Sequence, residues 1–456
     1  MTGAIDEQLR AHLVRDDGQE DLCFALTYPS RGERRQTTLI AEVILPRDGE
    51  RRVHGNASFL PQYFERALGL ALSNDAGLAF LHAHPGTGWQ GMSRDDAEAE
   101  RGMAAGVFAA TGQPLAGLTL SAKDGFWSAR VWERDGDGAF VRQDCVSVRV
   151  VGSKLMVAWH PRLRPAPRRT ESLRRTIDAW GAPAQADLAR LRIGVIGAGS
   201  VGIPVAEALA RSGVERVVAI DFDIVKEHNL DRLLHASAEH ALARTPKVDL
   251  LKAALPTAAT AEHFDLDARP ISVCDEAGYR AALDCDVLFS CVDRPWPRSV
   301  LNHIAYAHCI PVVDGGISVS RLPDGRLRSA DWRAHVAAHD RRCLECLGQF
   351  DRGWVQADRE GRLDDPRYIE ALPTDHPLRA SENVFIFSLA AAASELMQFL
   401  LLVLAPAGIA DVGAISASLP ALRVERDTRS CEPWCLSPTL EARGDRAGHP
   451  GTRVPD

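Results

Sequence analysis

One loop fixes the architecture of the C-terminal part of this chain: Gly197-Ala-Gly199-Ser-Val-Gly202 follows the apolar run Ile193 to Ile196 and opens a helical pattern from Val201. Glycines at that spacing let backbone N–H groups at a helix N-terminus approach phosphate closely. The surroundings have the same rhythm. Val217 to Ile220, a helix around Lys247 to Ala254, Val287 to Cys291, a helix from Arg298 and the run Pro311 to Val313 alternate strand with helix, which predicts a parallel, doubly wound sheet. Asp221 ends the strand after the loop, where such folds place an acid for a ribose.

The N-terminal part reads differently. Leu22 to Tyr28, Thr38 to Leu45, Leu78 to His82, Leu115 to Leu120 and Trp127 to Trp132 are predicted strands, with helices over Pro61 to Leu72 and Ser93 to Ala110, so residues 1–160 form an α+β domain. A chain of 456 residues needs more than one core. The Pro- and Arg-rich stretch within 161–172 reads as a linker, 173–438 as the second domain, and the polar residues 439–456 as a disordered tail. A basic phosphate-binding patch is the competing reading of the Pro/Arg stretch.

Charge and hydropathy narrow the class. A net charge of -8 disfavours a nucleic-acid-binding face. The N-terminus lacks the basic and apolar regions of an export signal, so the cytoplasm is expected. Val384 to Ala410 is apolar enough to suggest a membrane span, but Glu395 and Gln398 near its middle point to a buried helix and no membrane partner. The ten cysteines include the close pairs Cys343/Cys346 and Cys431/Cys435, spacing that suggests metal rather than disulfides.

Near residue 82 the chain reads His82-Ala-His84-Pro85 and then Ser93-x-x-Asp96. Two histidines two apart on a strand share a face. With one carboxylate they make the three-ligand set of a catalytic zinc, leaving one position open. Ser93 caps the helix that carries Asp96, or serves the chemistry, or both. The combination resembles the JAMM/MPN metalloprotease family over roughly residues 20–145. The resemblance implies zinc ligation by His82, His84 and Asp96, an oxyanion role for Ser93, and a glutamate general base on an earlier strand. Glu42 is the best-placed candidate for that base, with Glu33 and Glu65 behind it. The gap to Asp96 is one residue longer than the family's, which keeps Asp95 open as the ligand.

The second constellation is longer: Asp221-Phe-Asp223, Asn229-Leu-Asp-Arg232, Thr245-Pro-Lys247, Ser290-Cys-Val-Asp293 and Pro311-Val-Val-Asp314-Gly-Gly316. With the glycine loop it resembles the ThiF/MoeB-type adenylyltransferases and ubiquitin-activating enzymes over about 170–436. The resemblance implies ATP held by Gly197, Gly199, Gly202, Asp221, Asp223, Asn229, Arg232 and Lys247, and Mg2+ held by Asp293. It implies that Arg175 reaches ATP, often across a homodimer, and that Cys343, Cys346, Cys431 and Cys435 hold a structural Zn2+. No cysteine lies between Leu347 and Ser430, where relatives that form a thioester carry one; Leu378-Arg379-Ala380-Ser381 stands there instead. Cys291 and Cys309 read as core residues.

Together the two resemblances imply a Rossmann-like doubly wound domain fused to a JAMM/MPN-like α+β domain. The expected partner is a ubiquitin-like or sulfur-carrier protein ending in Gly, with or without a conjugating enzyme. Zinc-dependent trimming would expose that tail and ATP would activate it, for conjugation, as in phage defence, or for sulfur delivery. A dinucleotide-dependent oxidoreductase leaves Asn229 and Arg232 unexplained, and a non-enzymatic scaffold leaves the His82, His84 and Asp96 set unexplained.

Overall fold

The computed structural model describes residues 1–54, 56–373, 376, 378 and 382–451. Two compact units divide them. Unit 1 comprises residues 1–30, 37–166 and 441–447; unit 2 takes 31–36, 167–440 and the described residues from 448.

Unit 1 runs α1 (Gly3–Leu13), β1 (Leu22–Arg31), β2 (Gln36–Ile44), β3 (Arg51–His54), β4 (Asn56–Phe59), α2 (Pro61–Ser73), β5 (Gly77–His84), α3 (Arg94–Thr111), β6 (Leu115–Ser121), β7 (Trp127–Arg134), β8 (Phe140–Asp144), β9 (Ser147–Val151) and β10 (Leu155–Trp159). Its six-stranded sheet has the order β2-β1-β5-β6-β7-β8. The central strand β5 is buried along nearly its whole length, which is why it reads as a continuous apolar run rather than an alternation. Leu9 and Leu13 of α1 join Leu81, Leu118 and Val150 in one core. Tyr63 and Ala67 of α2, with Met103 and Val107 of α3, join Leu78, Phe80 and Trp132 in the other. His82 follows Phe80 at strand spacing and so faces the α3 side.

Unit 2 runs α4 (Arg174–Trp180), α5 (Ala182–Arg190), β11 (Arg192–Ile196), α6 (Gly202–Arg211), β12 (Arg216–Ile220), α7 (Ala238–Leu242), α8 (Lys247–Ala258), β13 (Asp265–Arg269), α9 (Glu276–Leu283), β14 (Val287–Ser290), α10 (Pro295–Ala307), β15 (Val312–Arg321), β16 (Leu327–Ala337), α11 (Arg352–Arg359), α12 (Pro366–Ala371), α13 (Phe385–Leu404), β17 (Ala414–Leu419) and β18 (Arg423–Asp427). The sheet order is β13-β12-β11-β14-β15-β16-β17-β18. Neighbours are parallel from β13 to β15. From β15 to β18 they are antiparallel, so the all-parallel expectation is corrected for three strands. Short turns join β15 to β16 and β17 to β18, whereas α11 to α13 lie between β16 and β17.

Two further expectations change. The apolar helix α13 buries Ser388, Ala391, Glu395, Gln398, Phe399 and Leu402, but Ile386, Leu389 and Met397 on its other face are exposed. Among the described residues it is the one helix long and apolar enough to cross a membrane. The segment after Thr439 is ordered up to residue 451: Gly444–Ala447 forms a 3-10 turn, Ala442 is 2% exposed, and the Arg443 and Arg446 guanidinium groups lie over the Tyr28 ring. Arg443 also donates to the Tyr28 hydroxyl at 3.0 Å. Composition hides this, because the arginines are held by a ring far away in sequence. Residues 452–456 lie outside the described set, as do Arg379, Ala380 and Ser381.

Candidate functional site

In unit 1, the end of β5 and the start of α3 bring three ligand-type side chains together. His82 Nε2 and His84 Nε2 are 3.0 Å apart, and Asp96 has oxygens 4.0 Å from His82 Nε2 and 3.3 Å from His84 Nε2. All three candidate ligand atoms lie within 4.8 Å of one another. Asp95, also in the first turn of α3, is exposed and is not in this group. Ser93 is the N-cap of α3: it accepts from Asp96 N–H at 3.1 Å and donates its hydroxyl to Asp96 Oδ2 at 2.6 Å, so the cap holds the carboxylate as well as the helix. Hydrogen bonding to His84 and then Ser93 holds the Asp96 carboxyl well below the usual range. Burial, with Arg130 next, pushes His82 down to about 3, so its imidazole is neutral, as a metal ligand must be. Two imidazoles and a carboxylate suit zinc. Among the described residues, the buried His82 Nδ1 has no hydrogen-bond partner.

Glu42 does not join them. It is exposed on β2, with β1 between it and the histidine strand in the sheet order. Glu20 is the acid that the sequence reading missed. It lies just ahead of β1, whose Leu22 is paired with His82, and its carboxylate interacts electrostatically with His84 and Asp96. Burial raises its pKa. Next to it the buried Asp21 accepts from Leu22 N–H at 2.8 Å and Arg51 Nε at 2.9 Å, while its carbonyl takes Ala83 N–H at 3.0 Å. These bonds lock the start of β1 against the histidine strand. Only the β1–β5 pairing reveals Glu20.

In unit 2, the second constellation gathers at the carboxyl ends of the parallel strands. β11 leads into the glycine loop, β12 into Asp221, and β14 into Asp293. Gly197 has φ +97°, and a Cβ on it would lie 2.5 Å from the Cys291 carbonyl oxygen; one on Gly202 would collide with the Gly197 carbonyl. Gly199 is different, because a Cβ there would meet nothing within 4 Å. Internal packing explains the first and third glycines and leaves open space above the second.

Asp221 accepts from Ala198 N–H at 2.6 Å and Asp223 N–H at 2.7 Å, bracing the loop. Burial raises its pKa against the pull of Lys247. Lys247 opens α8, donates Nζ to Asp223 Oδ2 at 2.8 Å and its N–H to the Asp223 carbonyl at 2.9 Å. Val225 N–H bonds to the Thr245 carbonyl, so a short bridge sets Lys247 beside the loop's acids. Asn229 takes Lys226 N–H at 3.0 Å in a single turn, and Arg232 one residue past Asp231 bonds Asp231 at 2.8 Å and the His228 carbonyl. Asp293 is exposed between β14 and α10, and Arg175 is exposed on α4.

The cysteines form a second donor set. Cys343, Cys346, Cys431 and Cys435 have their sulfurs within 4.8 Å of one another. Backbone N–H groups of Cys343, Cys346 and Glu432 donate to Cys431, Cys343 and Cys346 sulfurs at 3.2 to 3.3 Å. Four free thiols so arranged suit a closed tetrahedral ion. Elsewhere burial pushes the thiols up, Cys285 to about 12, Cys145 to about 11, and Cys291 well above its ordinary value with Glu395 adding to it. Cys309 is buried. Cys285, Cys145 and Cys291 are therefore not pre-ionised nucleophiles.

A parallel sheet with a glycine loop, a helix N-terminus and acids at its carboxyl edge defines a nucleotide-binding α/β protein. Residues 173–402 match the ThiF family, which is half of the chain, and the chain belongs to that family. It is 49% identical over 61 residues to the tRNA threonylcarbamoyladenosine dehydratase of Bacillus subtilis, covering 13% of this chain and 23% of that protein. It is 28% identical over 158 residues to the SAMP-activating enzyme E1 of Haloferax volcanii, covering 33% and 56%. With the adenylyltransferase and sulfurtransferase MOCS3 of Xenopus laevis it shares 27% over 169 residues, 37% and 34% of the two chains. The chain thus spans from about a quarter to just over half the length of these relatives. The crystal structure of E. coli MccB with ATP overlaps 59% of this chain and 74% of its own at 15% identity and a TM-score of 0.44.

Proposed function

We propose that the chain is an ATP-dependent adenylyltransferase that activates the C-terminal glycine of a ubiquitin-like or sulfur-carrier protein, joined to a zinc peptidase or isopeptidase of JAMM/MPN type. The observation that carries the first half is the meeting of Gly199, Asp221, Asp223 and Lys247 at the ends of β11 and β12. ThiF membership and the adenylyltransferases among its relatives support it.

The glycine-loop N–H groups and the α6 N-terminus would face the phosphates. As the tail carboxylate attacks the α-phosphorus and pyrophosphate leaves, negative charge builds, which Lys247, Asn229 and Arg232 offset. Asp293 would hold Mg2+, which supplies further charge neutralisation when bound. Arg175 we assign to ATP across a homodimer, by resemblance. The acyl-adenylate passes directly to its acceptor, in keeping with the buried, protonated thiols. In unit 1, His82, His84 and Asp96 would hold Zn2+, whose chemistry when bound is activation of water and of an amide carbonyl. Glu20 replaces Glu42 as the base that takes the proton, and the four-cysteine set would hold a structural Zn2+. A cytoplasmic conjugation system, with a conjugating enzyme as a further partner, is the reading we favour. The adenylyltransferase and sulfurtransferase among the relatives supports sulfur delivery as the second.

The test uses the full chain, ATP and a carrier protein ending in Gly. Carrier-dependent exchange between pyrophosphate and ATP is expected, falling about 100-fold or more in Lys247→Ala. No exchange with any such carrier removes the adenylyltransferase reading. A carrier extended beyond its Gly should be trimmed by wild type and not by His84→Ala; equal trimming removes the peptidase half.

A further inference from the structure

Behind the His82, His84 and Asp96 triad, a chain of buried polar contacts ends on one of its ligands. Trp132 on β7 donates its indole N–H to Glu100 Oε2 at 2.7 Å. Arg130, two residues earlier and so on the same face, donates Nε to that oxygen at 3.0 Å and Nη2 to Glu100 Oε1, a bidentate pair. Its Nη1 donates to Thr119 Oγ1, which lies 3.5 Å from His82 Nε2. Glu100 and Thr119 are 0% exposed and Arg130 is 3% exposed.

The placement follows from the elements that build the triad. Glu100 is one helical turn beyond Asp96 on α3, so the helix sends one carboxylate to the triad and the next to the buried pair. Thr119 is paired with His82 across β5 and β6, and Arg130 with Gly117 across β6 and β7. A Cβ on Gly117 would lie 2.5 Å from Glu100 Oε2 and 2.6 Å from Arg130 Nε, so this glycine makes room for the pair. A buried ion pair is weak evidence for stability, since apolar residues of similar volume often serve as well in such a core. The pair is also oriented, its guanidinium on the Thr119 and His82 side and its carboxylate at Trp132.

We propose that Arg130 and Glu100 are positioning residues for a metal at the triad: Arg130 holds the Thr119 hydroxyl beside His82, and Glu100 offsets the guanidinium so that its charge does not oppose the cation. This rests on reading His82, His84 and Asp96 as a metal site. It adds a requirement that the three ligands alone do not state, namely that a carboxylate touching none of them governs how tightly they bind zinc.

The experiment measures zinc affinity of the full chain by competition with a chromophoric chelator, with thermal melting to register folding. His84→Ala should lower zinc by about one per chain; unchanged content overturns both the metal-site reading and this proposal. Glu100→Gln keeps acceptor and shape but strands the guanidinium, and should weaken zinc binding at this site about tenfold or more. Adding Arg130→Met removes the stranded charge and should recover most of the lost affinity, an effect that a merely structural pair would not produce. Unaltered affinity in folded Glu100→Gln, or no recovery in the double variant, overturns the proposal and leaves the metal site standing. If Glu100→Gln does not fold, Thr119→Val, which spares the ion pair, decides: weaker zinc binding supports the link and unchanged binding overturns it.

Discussion

Glu20 and Glu42 show what a strand does with an acid. Glu20 just precedes β1 and Glu42 lies on β2, both ahead of the histidine strand in sequence, and both are glutamates with no distinguishing local pattern. Glu42 projects from β2 into solvent, whereas Glu20 is half-buried beside the triad because β1 starts opposite His82. Glu20→Gln is therefore expected to slow cleavage of an extended carrier about 100-fold or more with zinc content unchanged. Glu42→Gln should stay within about twofold of wild type. Equal effects of the two, measured as initial rates, would return the base to open contest. The proposed ligands were legible, since His-x-His on a strand and Ser-x-x-Asp at a helix start are local geometry. The proposed base was not, because its address is a strand pairing between distant segments of the chain.

At the scale of the element, α3 does two jobs from one cap. Its first turn satisfies Ser93 and Asp96 reciprocally, and the same bond aims Asp96 at the histidines. Ser93→Ala should cost about 1 kcal/mol of stability and also weaken zinc binding, read by thermal melting and chelator competition. Lost stability with unchanged zinc affinity would leave Ser93 as a cap alone. The glycine loop is the other element in which local sequence and function coincide: Gly197 and Gly202 are required by contacts below the loop, Gly199 by none. Ahead of the cap, loop residues 86–91 are pinned by Gly88 N–H to Asp124 at 2.7 Å and Gln90 N–H to Ser128 at 2.7 Å.

At the scale of the whole molecule, neither unit is continuous in sequence: residues 31–36 belong with the second and 441–447 with the first. Within unit 2, a buried charge cluster ties α10 to the middle of the sheet. Asp314 accepts from Arg298 Nε at 2.9 Å, Arg333 Nη1 at 2.6 Å and Ser290 Oγ at 2.7 Å. Burial alone would raise its pKa, but the two guanidinium groups outweigh burial and hold it below the usual carboxylate range. A carboxylate depressed in the fold contributes stability above its unfolded pKa and loses that contribution as pH falls through the folded value. Asp314→Asn should accordingly be less stable than wild type at pH 7, by about 3 kcal/mol or more. The gap should narrow below about pH 4, and urea midpoints at the two pH values check it; a constant gap would assign the loss to packing. By itself the sequence determined what is written in short-range spacing: the glycine loop, the strand and helix alternation, the two histidines, the capped aspartate and the paired cysteines. Tertiary structure alone decided that Glu20 and not Glu42 lies near the triad, that β16 to β18 extend the sheet antiparallel, and that the polar residues after Thr439 are held against Tyr28. Those choices depend on which distant segments share a surface, and local periodicity carries no term for that.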